Sequence, residues 1–166
     1  MSHTTKQVVD AIEKALGQLE SLAKHTYGNG KAPLRSLCVH IRELEIEVNT
    51  ETPVAATDGD KLYINPDGFM AYDEYHRAYI LGHETLHLLC NHPARGKRHS
   101  IKDNRFNHKR FNVACDAVIN NILDGWTREA ISPPDRVTFS GLVESGHLGE
   151  HGRGFSWRHE SYSSST

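Results

Sequence analysis

The chain has 166 residues, of which 37% are hydrophobic, and a net charge of −2. This length allows one domain with a proper hydrophobic core, and the near-neutral charge argues against a nucleic acid or an anionic membrane as a partner recognised through overall charge. The first residues lack the apolar core of a signal peptide, and no stretch approaches the ~20 apolar residues of a membrane span, so we expect a cytoplasmic protein.

Two amphipathic helices are predicted at the start of the sequence. Apolar residues recur every three or four positions in residues 6–25 and again from about Pro33 onward, and Gly28 and Gly30 interrupt the pattern between them. We expect both helices to pack against a common core.

Three short β-prone stretches come next. Residues 44–48 alternate apolar and charged side chains, and residues 53–57 and 61–65 flank an Asp58-Gly59 pair that is typical of a hairpin turn. The segment therefore predicts a small antiparallel or mixed sheet, which ends at Pro66.

A second region of helical periodicity carries the chemistry. With Asp73 as its N-cap, a helix is predicted from residue 74 to about residue 91, and it contains the sequence His-Glu-x-x-His of the zinc peptidases. His83 and His87 are four residues apart, so both imidazoles lie on one face and can converge on a single divalent ion. Glu84 can reach a water on that ion without being a ligand. The alternative is a pair of buried histidines satisfied by hydrogen bonds alone.

Beyond Pro93, which we expect to stop this helix, the sequence becomes polar and basic. Residues 95–110 hold seven basic residues and one acid. Aromatic residues do not alternate with these cations, so we interpret this basic loop as solvated and only weakly suggestive of nucleic acid.

A further helix is predicted over residues 105–124. Asn112, Asp116 and Asn120 are spaced by four and form a polar stripe along an otherwise hydrophobic helix. A buried carboxylate needs a cation or several donors to stay ionised, and the metal is the obvious candidate. Asn120 and Asn112 are then expected to orient the ligands by hydrogen bonds.

A catalytic zinc takes three protein ligands and keeps one position open. The third ligand is either Asp116 or His92. On a continuous helix His92 would point about 180° away from His83, and no glycine lets the helix end early, so we favour Asp116.

Five short segments agree in order and spacing with a known family: VAATDG (54–59), LYINP (62–66), HETLH (83–87), HPAR (92–95) and NVACDAVIN (112–120). Over about residues 50–123 the sequence resembles the metallopeptidase domain family of bacteria and phages that is often joined to a von Willebrand factor A-like domain. The resemblance implies a zincin-like fold, a bound Zn²⁺ and peptidase activity. This sequence lacks the von Willebrand region, and a free-standing domain suits a phage or prophage protein.

We therefore predict an α+β, zincin-like fold, mostly helical, with the small sheet beside the metal helix. By analogy with zinc peptidases, an edge strand of that sheet can hold an extended substrate. Residues 1–139 form the single domain, and residues 140–166, rich in Gly, Ser and His, form a loop or flexible tail.

The predicted activity is hydrolysis of peptide bonds in a protein or peptide substrate. Zn²⁺ bound by His83, His87 and Asp116 activates a water, and Glu84 acts as the general base. Arg95, His92 and His108 are candidates for a second electrophile. The hydrolysis could also be aimed at one regulatory protein.

The alternative from another class is a non-catalytic, zinc-stabilised binding or regulatory module that acts with a separate partner protein. In that case a fourth ligand closes the site, with His92 as the first candidate.

Overall fold

The computed structural model describes residues 3–26, 28–134 and 136–138. Within them, six α-helices and three strands follow one another along the sequence. They are α1 Thr5–His25, α2 Lys31–Glu43, β1 Ile46–Val48, β2 Ala55–Thr57, β3 Leu62–Ile64, α3 Pro66–Met70, α4 Glu74–Leu89, α5 His92–Lys102 and α6 His108–Thr127. The prediction of a mostly helical α+β fold with a small sheet is confirmed.

Helix α4 is the centre of the fold. It packs against α1, α2 and α6, and β2 lies beside it. Asp73 caps it as predicted, because the side chain accepts a hydrogen bond from His76 N at 2.9 Å. A Cβ atom at Gly82 would lie 3.3 Å from both Leu37 and Leu123, so glycine lets neighbouring helices approach closely. One face of α4 is therefore buried in the hydrophobic core, whereas His83, Glu84 and His87 are only partly buried.

The three strands form a mixed sheet in the order β1–β3–β2. Strand β1 runs parallel to β3, whereas β2 and β3 form the predicted antiparallel hairpin. At the turn, Asp58 Oδ1 accepts hydrogen bonds from Asp60 N at 2.9 Å and Lys61 N at 3.0 Å, and Gly59 has a φ of 108°. Strand β2 is thus an edge strand next to α4.

The prediction of a basic loop over residues 95–110 is wrong for residues 95–102, because they belong to helix α5, which spans His92–Lys102. Asn91 adopts a left-handed conformation (φ 54°, ψ 38°), which ends α4, and Pro93 occupies the first turn of the new helix. Within α5 only His92 and Gly96 are buried. A helix that buries so little has a polar sequence, which resembles that of a loop.

Helix α6 begins at His108, three residues later than predicted, and Asn107 caps it by accepting a hydrogen bond from Arg110 N at 3.0 Å. Asp116 and Asn120 of its polar stripe face α4. The predicted tail, residues 140–166, lies outside the described residues, and the single-domain boundary at residue 139 stays a prediction.

No helix in the part of the protein that the structure describes is long and apolar enough to cross a membrane.

Candidate metal centre

Two histidines of α4 and one aspartate of α6 converge on a common point. His87 Nε2 lies 3.0 Å from His83 Nε2 and 2.9 Å from Asp116 Oδ1, and His83 Nε2 lies 3.5 Å from the same oxygen. The side chains are only partly exposed, at 17% for His83, 13% for His87 and 31% for Asp116. These are the three groups that the sequence predicts as ligands, and the fold brings them together.

The spacing and chemistry of the three atoms fit a tetrahedral zinc ion. With metal–ligand bonds of about 2.0–2.2 Å, neighbouring ligand atoms in a tetrahedron are separated by about 3.3–3.6 Å. The observed separations of 2.9, 3.0 and 3.5 Å are close to this range. Two imidazole nitrogens and one carboxylate oxygen are also a usual ligand set for a catalytic zinc. The residues present therefore fit the metal.

Asn120 contacts the outer nitrogen of His83, which is Nδ1, the ring nitrogen that faces away from the cluster. Asn120 Nδ2 donates to the backbone carbonyl of Val137 at 2.8 Å, so its Oδ1 faces the opposite way. This oxygen accepts hydrogen bonds from His83 Nδ1 at 2.7 Å and from the Tyr79 hydroxyl at 2.8 Å. Because an amide oxygen only accepts, Nδ1 of His83 carries the proton, and a neutral ring then has its Nε2 lone pair free for a cation.

Asn120 is 3% exposed, and it is one of the few buried polar side chains among the described residues. The sequence predicts its contact with a ligand imidazole. Its other partners, Tyr79 and Val137, were not predicted. Tyr79 is four residues before His83 on the same helix face, which is a signal that could have identified it.

The outer nitrogen of His87 faces another histidine. His92 Nδ1 lies 3.1 Å from His87 Nδ1, on the side of the His87 ring away from Asp116. The prediction that His92 cannot turn back toward the site is wrong, because α4 ends at Leu89 and the left-handed Asn91 changes the backbone direction before His92. His92 nevertheless meets the outer side of a ligand and is not one of the three converging groups.

Burial and the neighbouring basic groups keep His92 neutral. Burial, together with the neighbouring His87 and Arg95, lowers the pKa of His92 to about 4. A neutral His92 can accept a hydrogen bond at Nδ1, so it can take the one from His87 Nδ1–H and leave His87 Nε2 free for the metal.

The carboxylate of the cluster is ionised. Burial alone would raise the pKa of Asp116, but hydrogen bonds to His83 and His87 hold the pKa at about 2. In the metal-free protein burial would lower the pKa of His83, but a hydrogen bond from its Nε2 to Asp116, with the negative charges of Glu84 and Asp116, outweighs burial and raises that pKa. A metal ion bound at Nε2 would replace this proton. The site is thus a negative group with two imidazoles around a point suited to a cation.

Glu84 lies beside the cluster and outside it. It lines the cleft on both sides of the converging atoms, and it is not one of the three groups that share the central point. Burial raises the pKa of its carboxyl group above the usual value. A raised pKa makes the ionised carboxylate a better proton acceptor at neutral pH.

The cleft over the cluster consists of two cavities. One, of about 380 Å³, is bordered by β2, His92 and Pro93, and the other, of about 270 Å³, by the start of β2, α4 and the segment after α6. Both include His83, Glu84 and Asp116 in their walls. Strand β2 and the three converging groups therefore border the same cleft.

The remaining predicted site residues have different positions. Asn112 is exposed and borders the larger cavity, and no hydrogen bond from it to a ligand side chain occurs among the described residues. Of the three candidate electrophiles, only His92 lines the cleft. His108 instead packs edge-on against Phe106, with ring centroids 4.8 Å apart, and Arg95 is exposed on α5.

Comparison with curated proteins and with solved structures gives no match. One family matches residues 18–161, a span that includes both helices of the cluster and the whole sheet. Its description is "Putative metallopeptidase domain", and metallopeptidases act through a divalent metal ion. A span of this length includes most of the sequence, and the protein belongs to this family of metallopeptidase domains.

Proposed function

We propose that this protein is a zinc-dependent metallopeptidase with a zincin-like arrangement that hydrolyses peptide bonds in a protein or peptide substrate. The observation that carries the proposal is the convergence of His83 Nε2, His87 Nε2 and Asp116 Oδ1 in an open cleft, with Glu84 beside them. His83, His87 and Asp116 hold the metal. Bound there, Zn²⁺ supplies a Lewis acid for the substrate carbonyl and acidifies a water molecule.

Glu84 accepts the proton of the attacking water. It follows His83 directly in α4, so it reaches the same cleft without taking a coordination position. Its partly buried carboxylate is less well hydrated than an exposed one, which supports its use as a base and later as the donor to the leaving amine.

Strand β2 presents backbone groups to an extended substrate. Asn65 N–H donates to Val54 O at 2.8 Å, so these two residues form a hydrogen-bonded pair of the ladder. In an antiparallel ladder, residues whose backbone groups bond to the neighbouring strand alternate with residues whose backbone groups point away from it. With the register Ala56↔Tyr63, the backbone groups of Ala55 and Thr57 point away from β3. Both residues border the cleft, so a peptide can add to this edge by main-chain hydrogen bonds.

An open fourth position favours catalysis over a purely structural zinc site. Structural sites fill all four positions with protein ligands, whereas catalytic sites leave one to water or substrate. His92, the sequence-based candidate for a fourth ligand, lies on the outer side of His87. Among the described residues only three groups share the central point.

The proposal is tested by comparing hydrolysis of an unfolded, dye-labelled protein by the full-length protein and by Glu84→Gln, each loaded with zinc. We expect the variant to bind zinc in the same amount and to lose about 10²- to 10⁴-fold in turnover, the usual contribution of a general base. Glu43→Gln, at an exposed position on α2, is the matched control and should retain full activity. Undiminished turnover by Glu84→Gln, or failure of the native protein to hydrolyse any substrate with zinc bound, would contradict the proposal.

A further inference from the structure

The smaller cavity of the cleft has an apolar wall. It is bordered by Val54 at the start of β2, by Tyr72 and Ile80 around the first half of α4, and by Pro133 and Val137 after α6. Its volume of about 270 Å³ is sufficient for one large side chain. Since it shares His83 and Glu84 with the larger cavity, it lies immediately beside the reacting centre.

Among the described residues of this wall Arg136 is the one lysine or arginine, and its charge is already neutralised. Arg136 Nε contacts Asp124 Oδ2 at 2.7 Å, Nη2 contacts Glu129 Oε2 at 2.9 Å, and Nη1 donates to the Pro133 carbonyl at 2.9 Å. The Arg136 side chain is 14% exposed. A carboxylate entering the cavity would therefore lose its hydration without gaining a free cationic partner.

The acidic groups at the edge of this cavity also have partners or a function. Asp116 interacts with both imidazoles, and Glu84 is the base of the proposed reaction. With Zn²⁺ bound, its two positive charges are formally balanced by Asp116 and Glu84, so neither a cationic nor an anionic side chain in the cavity gains an unbalanced charge as its partner. Both signs of charge are thus disfavoured, and an apolar side chain gains from burial.

The direction of the substrate follows from the edge strand. Antiparallel pairing is slightly more stable per residue than parallel pairing and is the more common arrangement. The apolar cavity lies at the beginning of β2, next to Val54 and Ala55, whereas the larger cavity extends along Ala55–Thr57. A peptide antiparallel to β2 passes the larger cavity first and the apolar cavity afterwards, so the part of the substrate that follows the cleaved bond enters the apolar cavity.

We propose that this apolar cavity receives the side chain of the residue that follows the cleaved bond and selects a large uncharged apolar residue there. The inference rests on the proposed peptidase function and adds its substrate class. Tyr79 forms part of the cavity wall, and its hydroxyl is engaged by Asn120, so it offers the substrate its ring and no free hydroxyl.

The test uses the zinc-loaded full-length protein and a peptide series in which only the residue after one bond is varied among Leu, Phe, Ala, Asp and Lys. We expect kcat/KM for Leu and Phe to exceed that for Ala by about 10- to 100-fold, with Asp and Lys at or below Ala. Equal cleavage of all five, or a preference expressed only at the residue before the bond, would overturn the inference while leaving the peptidase function intact. Hydrolysis of none of these peptides or of unfolded protein would overturn the function itself.

A substitution in the wall provides a second test. Ile80→Ala enlarges the cavity, so the ratio of kcat/KM for a Trp peptide to that for a Leu peptide should rise about 10-fold. Ile101→Ala removes the same atoms from an isoleucine that is 78% exposed on α5, and the ratio should not change. An unchanged ratio in folded Ile80→Ala would overturn the assignment of the cavity. If this variant does not fold, the peptide series on the native protein decides.

Discussion

His83 and His87 occupy equivalent positions one helical turn apart, but the protein holds their outer nitrogens differently. His83 Nδ1 donates to Asn120, a buried amide that is itself fixed by Tyr79 and Val137. His87 Nδ1 instead meets His92, a second imidazole at the wall of the larger cavity. An amide oxygen can only accept, whereas an imidazole nitrogen can accept or donate. The orientation of His83 is therefore more strongly determined than that of His87.

The largest effect on zinc affinity is expected at Asp116, the partner that His83 and His87 share. Asp116→Asn removes the negative charge while keeping the shape of the side chain, so zinc affinity should fall by more than the 10- to 100-fold typical of an outer hydrogen-bond partner. Metal titration with a competing chelator measures this. If Asp116→Asn retains zinc and His92→Ala loses it, then His92 is the third ligand.

The second-largest effect on zinc affinity is expected at Asn120, which contacts His83. Asn120→Leu removes the acceptor of two hydrogen bonds, so zinc affinity should fall by about 10- to 100-fold. It also removes the Oδ1 acceptor of the buried Tyr79 hydroxyl, and the free energy of unfolding of the metal-free protein should decrease by about 1–3 kcal/mol. Urea unfolding with and without chelator separates the two losses. Unchanged zinc affinity would show that Asn120 supports the fold alone.

A smaller effect is expected on the His87 side. His92→Phe removes the acceptor for His87 Nδ1–H, but the adjoining cavity of about 380 Å³ admits water that can replace it. Zinc affinity should fall by about 10-fold or less. His92→Gln keeps an acceptor and should recover most of the loss. A larger loss of zinc affinity in His92→Phe than in Asn120→Leu would contradict the expectation that the His83–Asn120 contact matters more for zinc binding than the His87–His92 contact.

The smallest effect on zinc affinity is expected from a substitution in the β2–β3 hairpin. It serves as a reference for the substitutions near His83 and near His87. The pKa of Asp58 is lowered to about 2, chiefly by hydrogen bonds from the backbone N–H groups of Asp60 and Lys61. Because the folded pKa is below the unfolded value, Asp58 stabilises the fold above the unfolded pKa, and this contribution is lost as pH falls toward 2. Asp58→Ala should lower the melting temperature at pH 7, and the difference from the native protein should shrink at pH 3.

Zinc affinity at pH 7 should be the same in Asp58→Ala and in the native protein. A loss of affinity in this variant would mean that metal binding simply follows overall stability, and the comparison of the two histidines would lose its meaning. A melting-temperature difference that stays constant between pH 7 and pH 3 would contradict the role of the Asp58 carboxylate in the turn.

Within each helix of the candidate cluster, the residues that share a face were predictable because they depend on local periodicity. His83 and His87 at four residues apart, and Asp116 and Asn120 at the same spacing, must each share a helix face whatever the surrounding fold. The position of His92 was not predictable in this way, since it depends on the left-handed conformation of Asn91, a residue that helical periodicity does not distinguish. Helix α5 escaped prediction because it buries only two residues. The apolar cavity combines β2, α4 and the segment after α6, so it exists only in the folded protein.

The most direct test of the metal centre is a crystal structure of the zinc-loaded protein with anomalous scattering recorded at the zinc edge. The account predicts one zinc ion bound by Nε2 of His83, Nε2 of His87 and a carboxylate oxygen of Asp116, with the fourth position open to solvent and His92 still in contact with the outer side of His87. A zinc ion with His92 as a ligand, or no zinc at this cluster, would contradict it.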